Sequence, residues 1–184
     1  MNLRSALNNG FLFLAIGATF VGLINIKGEQ PPTSIDFWGF VVFFVFFRIK
    51  MWLDDAHYFR AAVTKTSNEK WLFRIGVVVA ICAWSLWAMA GYSIFDLNKS
   101  YFYVLLSLGL LMTWVIIAAI ARKGFEEKDM LWLLFNFIYM AVIGLIYCSK
   151  CNLSFDKNWL IGILVLGTVL DFVFSSSLDH FKEE

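Results

Sequence analysis

Phe46-Phe47-Arg48-Ile49-Lys50-Met51-Trp52-Leu53-Asp54-Asp55-Ala56-His57-Tyr58-Phe59-Arg60 decides how this chain is read. It begins inside an unbroken apolar run from Phe37 and then places Arg48, Lys50, Asp54, Asp55, His57 and Arg60 in quick succession. Charges this close to a run of bilayer length are costly in hydrocarbon, so they sit where partners, water or a function repay them.

Working outward, five more apolar segments of similar length accompany it. The six run over 10–26, 35–53, 71–95, 101–121, 130–148 and 159–175. About 20 residues of α-helix cross about 30 Å of hydrocarbon. The fold class expected is therefore all-α, an integral membrane bundle of six transmembrane helices, with residues 1–184 forming a single domain. The first segment, with Arg4 ahead of Phe11–Val21, also has the outline of a signal peptide. We read it as a retained first helix.

Composition agrees. Of 184 residues 60% are hydrophobic, 20 are Phe and 8 are Trp, well above the ~45–50% apolar content of soluble domains. The formal net charge of +1 gives no electrostatic footprint for nucleic acid. The lipid bilayer is the expected surrounding, and connections this short predict antiparallel neighbours.

Lys and Arg counts set the orientation. Under six crossings one side receives Arg4, Arg48, Lys50, Arg60, Lys65, Lys70, Arg74, Arg122, Lys123, Lys128 and Lys182. The other receives Lys27, Lys99, Lys150 and Lys157. N and C termini are thus expected in the cytoplasm, in a cytoplasmic (inner) membrane. Trp52, Trp71 and Trp132 read as interfacial anchors at cytoplasmic ends, Trp38 and Trp159 at exterior ends.

At ~100° per residue the charges of the second segment separate. Lys50, Asp54 and His57 share one face, with Arg48 and Asp55 roughly opposite. A rise of ~1.5 Å per residue puts Arg48 ~20 Å from the exterior end, Lys50 ~22 Å, and Asp171 of the last segment ~21 Å. A lone carboxylate at such depth is paired or protonated. Arg48 is the first candidate partner and Lys50 the second. Asn136 and Arg74 fall in the same inner half. The candidate polar cluster is therefore Arg48, Lys50, Asp54, Asp55, His57, Arg74, Asn136 and Asp171. The plainest reading is of snorkelling bases, interfacial acids and a structural ion pair. A sharper one is a cytoplasm-facing cavity for an ion, headgroup or small solute. Asp54, Asp55, His57, Asp179 and His180 were weighed as divalent-metal ligands, but their spacing matches no metal signature, so neither metal nor cofactor is expected.

Cys148-Ser149-Lys150-Cys151 is a C-x-x-C at the exterior end of the fifth segment, where an oxidising compartment permits a disulfide. Phosphate-binding loops and nucleophile or metalloprotease motifs are missing. Ser175, Asp179 and His180 lie too nearly consecutively to build a triad. Small-residue pairs such as Ala18/Gly22 and Gly76/Ala80 have helix-contact spacing, which chance also produces at this composition. In size and span number the chain is similar to small vitamin-uptake binding subunits, a likeness of dimensions without shared motifs. The function expected is a non-enzymatic, self-associating membrane subunit (anchor, sensor or pore-type effector) with a charged cytoplasmic face for a protein partner. The alternative is a small channel or transporter using Arg48, Lys50 and Asp171.

Overall fold

In the computed structural model the backbone is described for residues 3–24, 32–61, 67–148 and 156–180. Within these, side chains are described except at 3–5, 7–8, 55–61, 67–70, 73 and 175–180. Six helices follow one another: α1 (Leu3–Ile24), α2 (Ile35–Ala61), α3 (Ser67–Tyr92), α4 (Leu97–Arg122), α5 (Glu127–Cys148) and α6 (Lys157–His180). The all-α class and the six elements match the sequence reading. The segment boundaries fell short because charged and polar turns extend most helices beyond their apolar parts.

The number of spans needs correction. Four helices among the described residues, α3 to α6, are long and apolar enough to cross a membrane. The apolar portion of α1, Asn9–Ile24, is shorter. Any bilayer-length window over the inner part of α2 includes Arg48 and Lys50 together with Asp36 or Asp54. The chain is thus a candidate multi-pass membrane protein with four helices that qualify on length and composition.

Helix ends follow local chemistry. Asp96 caps α4, its Oδ1 accepting the Lys99 N–H at 3.2 Å, and Asp156 does the same for α6 through the Asn158 N–H at 2.9 Å. At the far end of α4, Lys123 adopts φ 63°, and the Lys123 and Gly124 N–H groups close back on Ile120 and Ala119 carbonyls. Asp129 then accepts the Glu126 N–H at 2.8 Å, starting α5.

The helices form a closed circuit: α1 packs on α2 and α3, α3 on α4, α4 on α5, α5 on α6, and α6 back on α2. Among the described side chains of α2 a narrow stripe, with Ile35, Trp38, Val42, Phe46 and Leu53, is exposed. Its remaining inner face fills the circuit. Phe40 meets Tyr101 of α4 edge-on at 4.6 Å, Phe44 stacks on Trp87 of α3 at 4.8 Å, and Phe47 meets Tyr139 of α5 at 4.9 Å. Such pairs add ~0.5–1.5 kcal/mol each beyond area burial. They matter in lipid, where helix association rests on packing and interhelical hydrogen bonds. Two of those bonds tie α4 to α3: Ser107 Oγ to the Ala83 carbonyl at 2.8 Å and Ser100 Oγ to the Ala90 carbonyl at 3.0 Å.

Candidate functional site

The C-terminal half of α2 carries the site because its helical geometry sends neighbouring charges to different helices. Lys50 and Asp54 are four residues apart and form a direct ion pair. The Lys50 ammonium also reaches Asp171 of α6, with Nζ and Oδ1 3.3 Å apart. Trp132 of α5 donates its indole N–H to Asp54 Oδ2 at 2.6 Å. Lys50, Asp54, Asp171 and Trp132 are all 5% exposed or less. One ammonium thus bridges two carboxylates, and three helices meet there.

Arg48, about 200° round the helix from Lys50, goes the other way. Its guanidinium carbon stands 5.6 Å from the centroid of Trp84 on α3, a cation–π arrangement that desolvation strengthens. On the same side Trp52 donates its indole N–H to Asn9 Oδ1 of α1 at 2.7 Å. The two polar faces of α2 therefore meet protein on both sides. Of the two partners weighed for Asp171, the structure supplies Lys50. Depth alone ranked Arg48 first; rotation about the helix decides otherwise.

On α5, Asn136 is buried and donates Nδ2–H to the Trp132 carbonyl at 2.8 Å. Its Oδ1 is buried without a hydrogen-bond partner among the described residues. Tyr139, one further turn along, lies against Gly167 and faces Thr168 and Asp171 of α6. Trp132, Asn136 and Tyr139 thus form one stripe along α5, whose two ends address Asp54 and Asp171.

The other proposed members separate. Arg74 is exposed on α3 and does not join the buried group; its side chain turns outward. Asp55 and His57 lie on α2, and their side chains fall outside the described residues, as do those of Asp179 and His180. Cys148 is exposed at the end of α5, whereas Cys151 falls outside the described residues. Among the described residues no group of three or more His, Cys, Asp or Glu is placed to hold a metal ion.

Sequence reasoning missed Trp132, Tyr139 and Asp129. Trp132 read as an interfacial anchor, yet it is 3% exposed and serves as a donor to Asp54. The i, i+4, i+7 spacing of Trp132, Asn136 and Tyr139 was the available signal. Asp129, fully buried, pairs with Arg122 across the α4–α5 turn, and Glu126 lies 3.8 Å from the Arg122 Nε.

At the opposite end of the bundle an open groove of about 590 Å³ is lined by Leu14, Ser85, Met89, Tyr92, Lys99 and Tyr103, among others. Compared with protein-family models, curated proteins and solved structures, the chain matches none.

Proposed function

We propose that this protein is a non-catalytic, multi-pass membrane subunit that works through its charged end and does not conduct solute through a single protomer. The observation that carries this reading is the filled centre. Phe37, Phe40, Phe43, Phe44 and Phe47 of α2 are each 1% exposed or less, and Trp87 and Tyr139 close on them with no exposure at all. A water-filled path would need polar lining along that length, and the buried charged side chains among the described residues concentrate at one end instead.

The reading includes six crossings, with α2 crossing as the most enclosed helix. Its Arg48, Lys50 and Asp54 carry little lipid-facing cost because they are paired or stacked inside the protein. Both termini then lie in the cytoplasm, by the asymmetry of Lys and Arg. The α4–α5 turn, with Lys123, Glu126 and Glu127 exposed, belongs to the cytoplasmic face offered to a protein partner. Self-association through the helices is part of the proposal, supported by the many large exposed apolar side chains of α1, α5 and α6.

The test is flux. Purified protein reconstituted in liposomes, under imposed proton, potassium and chloride gradients, is expected to leak no faster than protein-free vesicles. Protein-dependent flux of any of the three overturns the reading in favour of a channel or transporter. A detergent-solubilised mass equal to one chain, in several mild detergents, removes self-association from it.

A further inference from the structure

We propose that the groove between α1, α3 and α4 holds one acyl chain of a zwitterionic phospholipid, with the lipid's phosphate on Lys99 and its primary ammonium on Asp96. The inference rests on α3 and α4 as membrane-spanning helices and is independent of what the charged end of the bundle does.

The floor of the groove is built for hydrocarbon. Ser85, Ala88, Met89 and Tyr92 fall at i, i+3, i+4 and i+7 and share one face of α3. All four line the groove, with Leu14 of α1 and Tyr103 of α4 opposite them. Ala88 and Ser85 are small and leave room. Ser85 Oγ donates to the Ile81 carbonyl of its own helix at 2.9 Å, so it offers no donor to a ligand. From Ser85 to Tyr92 the face runs ~10 Å along the helix. Both α3 and α4 are long and apolar enough to cross a membrane, and an open apolar cleft along such helices is bounded by lipid.

The mouth has different chemistry. Tyr92 ends α3 and Lys99 lies in the first turn of α4, so both stand at the level of the headgroups, where tyrosine is favoured. Lys99 lines the groove and pairs with Asp96, Nζ to Oδ2 3.1 Å, both side chains being open to the surroundings at 69% and 45% exposure. An ammonium has three N–H donors, so the Asp96 contact leaves donors for a phosphate. The Asp96 carboxylate accepts the Lys99 backbone N–H as well and still has acceptor capacity. A cation and an anion side by side at the mouth of an apolar groove complement a phosphate and an ammonium at the head of an acyl chain. An anionic headgroup without the ammonium would meet the Asp96 carboxylate uncompensated.

The experiment is native mass spectrometry of the full chain in mild detergent, titrated with phosphatidylethanolamine or phosphatidylglycerol of identical acyl composition. The wild type is expected to retain one phosphatidylethanolamine, and phosphatidylglycerol about tenfold more weakly, the share of one charge-assisted hydrogen bond. Lys99→Gln should weaken phosphatidylethanolamine about tenfold for the same reason. Asp96→Asn, which keeps a helix cap, should remove the discrimination between the two headgroups. Met89→Trp fills the groove from an exposed position and should abolish retention of both. Lys27→Gln, in the chain after α1 and outside the described residues, should change nothing. The proposal is overturned if the wild type retains neither lipid or both equally, if retention is undiminished in Lys99→Gln or Met89→Trp, or if Lys27→Gln abolishes it. A two-chain species that Met89→Trp disperses, with no lipid retained, overturns it in favour of a second copy in the groove. The wild-type comparison of the two lipids needs no variant to fold, and none of these outcomes bears on the flux result.

Discussion

Lys50 of α2 and Asp171 of α6 are joined by an ion pair, Nζ to Oδ1 3.3 Å, with both side chains 2% exposed. Each lies about fourteen or fifteen residues into a helix that starts at the same end of the bundle, and this shared depth brings them level. Lys50 simultaneously holds Asp54, so one ammonium serves two carboxylates. Asp54 keeps the Trp132 N–H when the ammonium is removed.

Lys50→Met is therefore expected to cost more than Asp171→Asn. Losing the cation leaves two buried carboxylates together, up to ~3–5 kcal/mol when water is excluded. Losing one carboxylate leaves a balanced Lys50–Asp54 pair, at roughly 1–2 kcal/mol. Thermal unfolding in detergent ranks them. The double change Lys50→Met with Asp171→Leu should show clear coupling, and Arg48→Met with Asp171→Leu little. Additive losses in the first cycle would mean that the observed pair is not an energetic one.

Much of this site is legible in the sequence. The equal depth of residue 171 and the charged turn of α2 followed from rise per residue, and the split of Lys50/Asp54 from Arg48 followed from 100° per residue. Rotation of other helices was not legible. Arg74 and Asn136 sit at useful depths, yet one faces outward and the other inward, because only tertiary packing sets how α3 and α5 turn about their own axes. Trp132 misled for a related reason. Tryptophan near a helix end reads as an interfacial anchor, but an indole with a buried carboxylate in reach is drawn inward. Six crossings were read from apolar length, but among the described residues only four helices meet that criterion: the apolar part of α1 is too short, and the charges of α2 fall inside any bilayer-length window.

Gly22 and Gly76 are expected to be intolerant of a side chain. A Cβ at Gly22 would stand 2.6 Å from the Gly91 carbonyl oxygen, which is backbone of α3 and cannot swing aside, and one at Gly76 would stand 2.0 Å from the Trp114 ring. Gly22→Ala and Gly76→Ala should each cost about 1–3 kcal/mol by overpacking. Gly109→Ala, with nothing within 4 Å, is the neutral control. Equal melting temperatures for all three would contradict the close α1–α3 and α3–α4 approach.

At the α4–α5 turn, Asp129→Ala removes both the Arg122 pair and the acceptor of the Glu126 N–H. A loss of about 2–4 kcal/mol is expected from the broken buried pair and cap together. Asp129→Asn retains an acceptor for the N–H and should lose less. Chemical denaturation of the two variants in the same detergent distinguishes them; no difference between them would assign the whole effect to charge.

Asp96 supplies a pH dependence outside the helices. Partial burial pushes its carboxyl up, but the Lys99 ammonium, the Lys99 N–H and the Asn98 N–H outweigh this and hold it below the ordinary carboxylate value. Its stabilising effect on α4 is therefore present above about pH 4 and lost as the pH falls through the lowered value. Asp96→Ala should cost about 1 kcal/mol at neutral pH, and the gap from wild type should close in acid. A gap that persists at low pH would remove the charged cap from the account.

The most direct test of the central claim, that α2 crosses the bilayer with its charges enclosed by protein, is sidedness of labelling. In a cysteine-free background, Thr33→Cys marks the start of α2, Asn98→Cys the α3–α4 end, and Gly124→Cys the α4–α5 turn, all three exposed. The Asp54–Trp132 hydrogen bond puts the charged half of α2 beside the first turns of α5, so Gly124 reports that end. In intact cells a membrane-impermeant thiol reagent should reach Thr33→Cys and Asn98→Cys and leave Gly124→Cys untouched until the cells are opened. Thr33→Cys protected together with Gly124→Cys would mean that both ends of α2 lie on one side of the membrane. The six-span account would then be wrong.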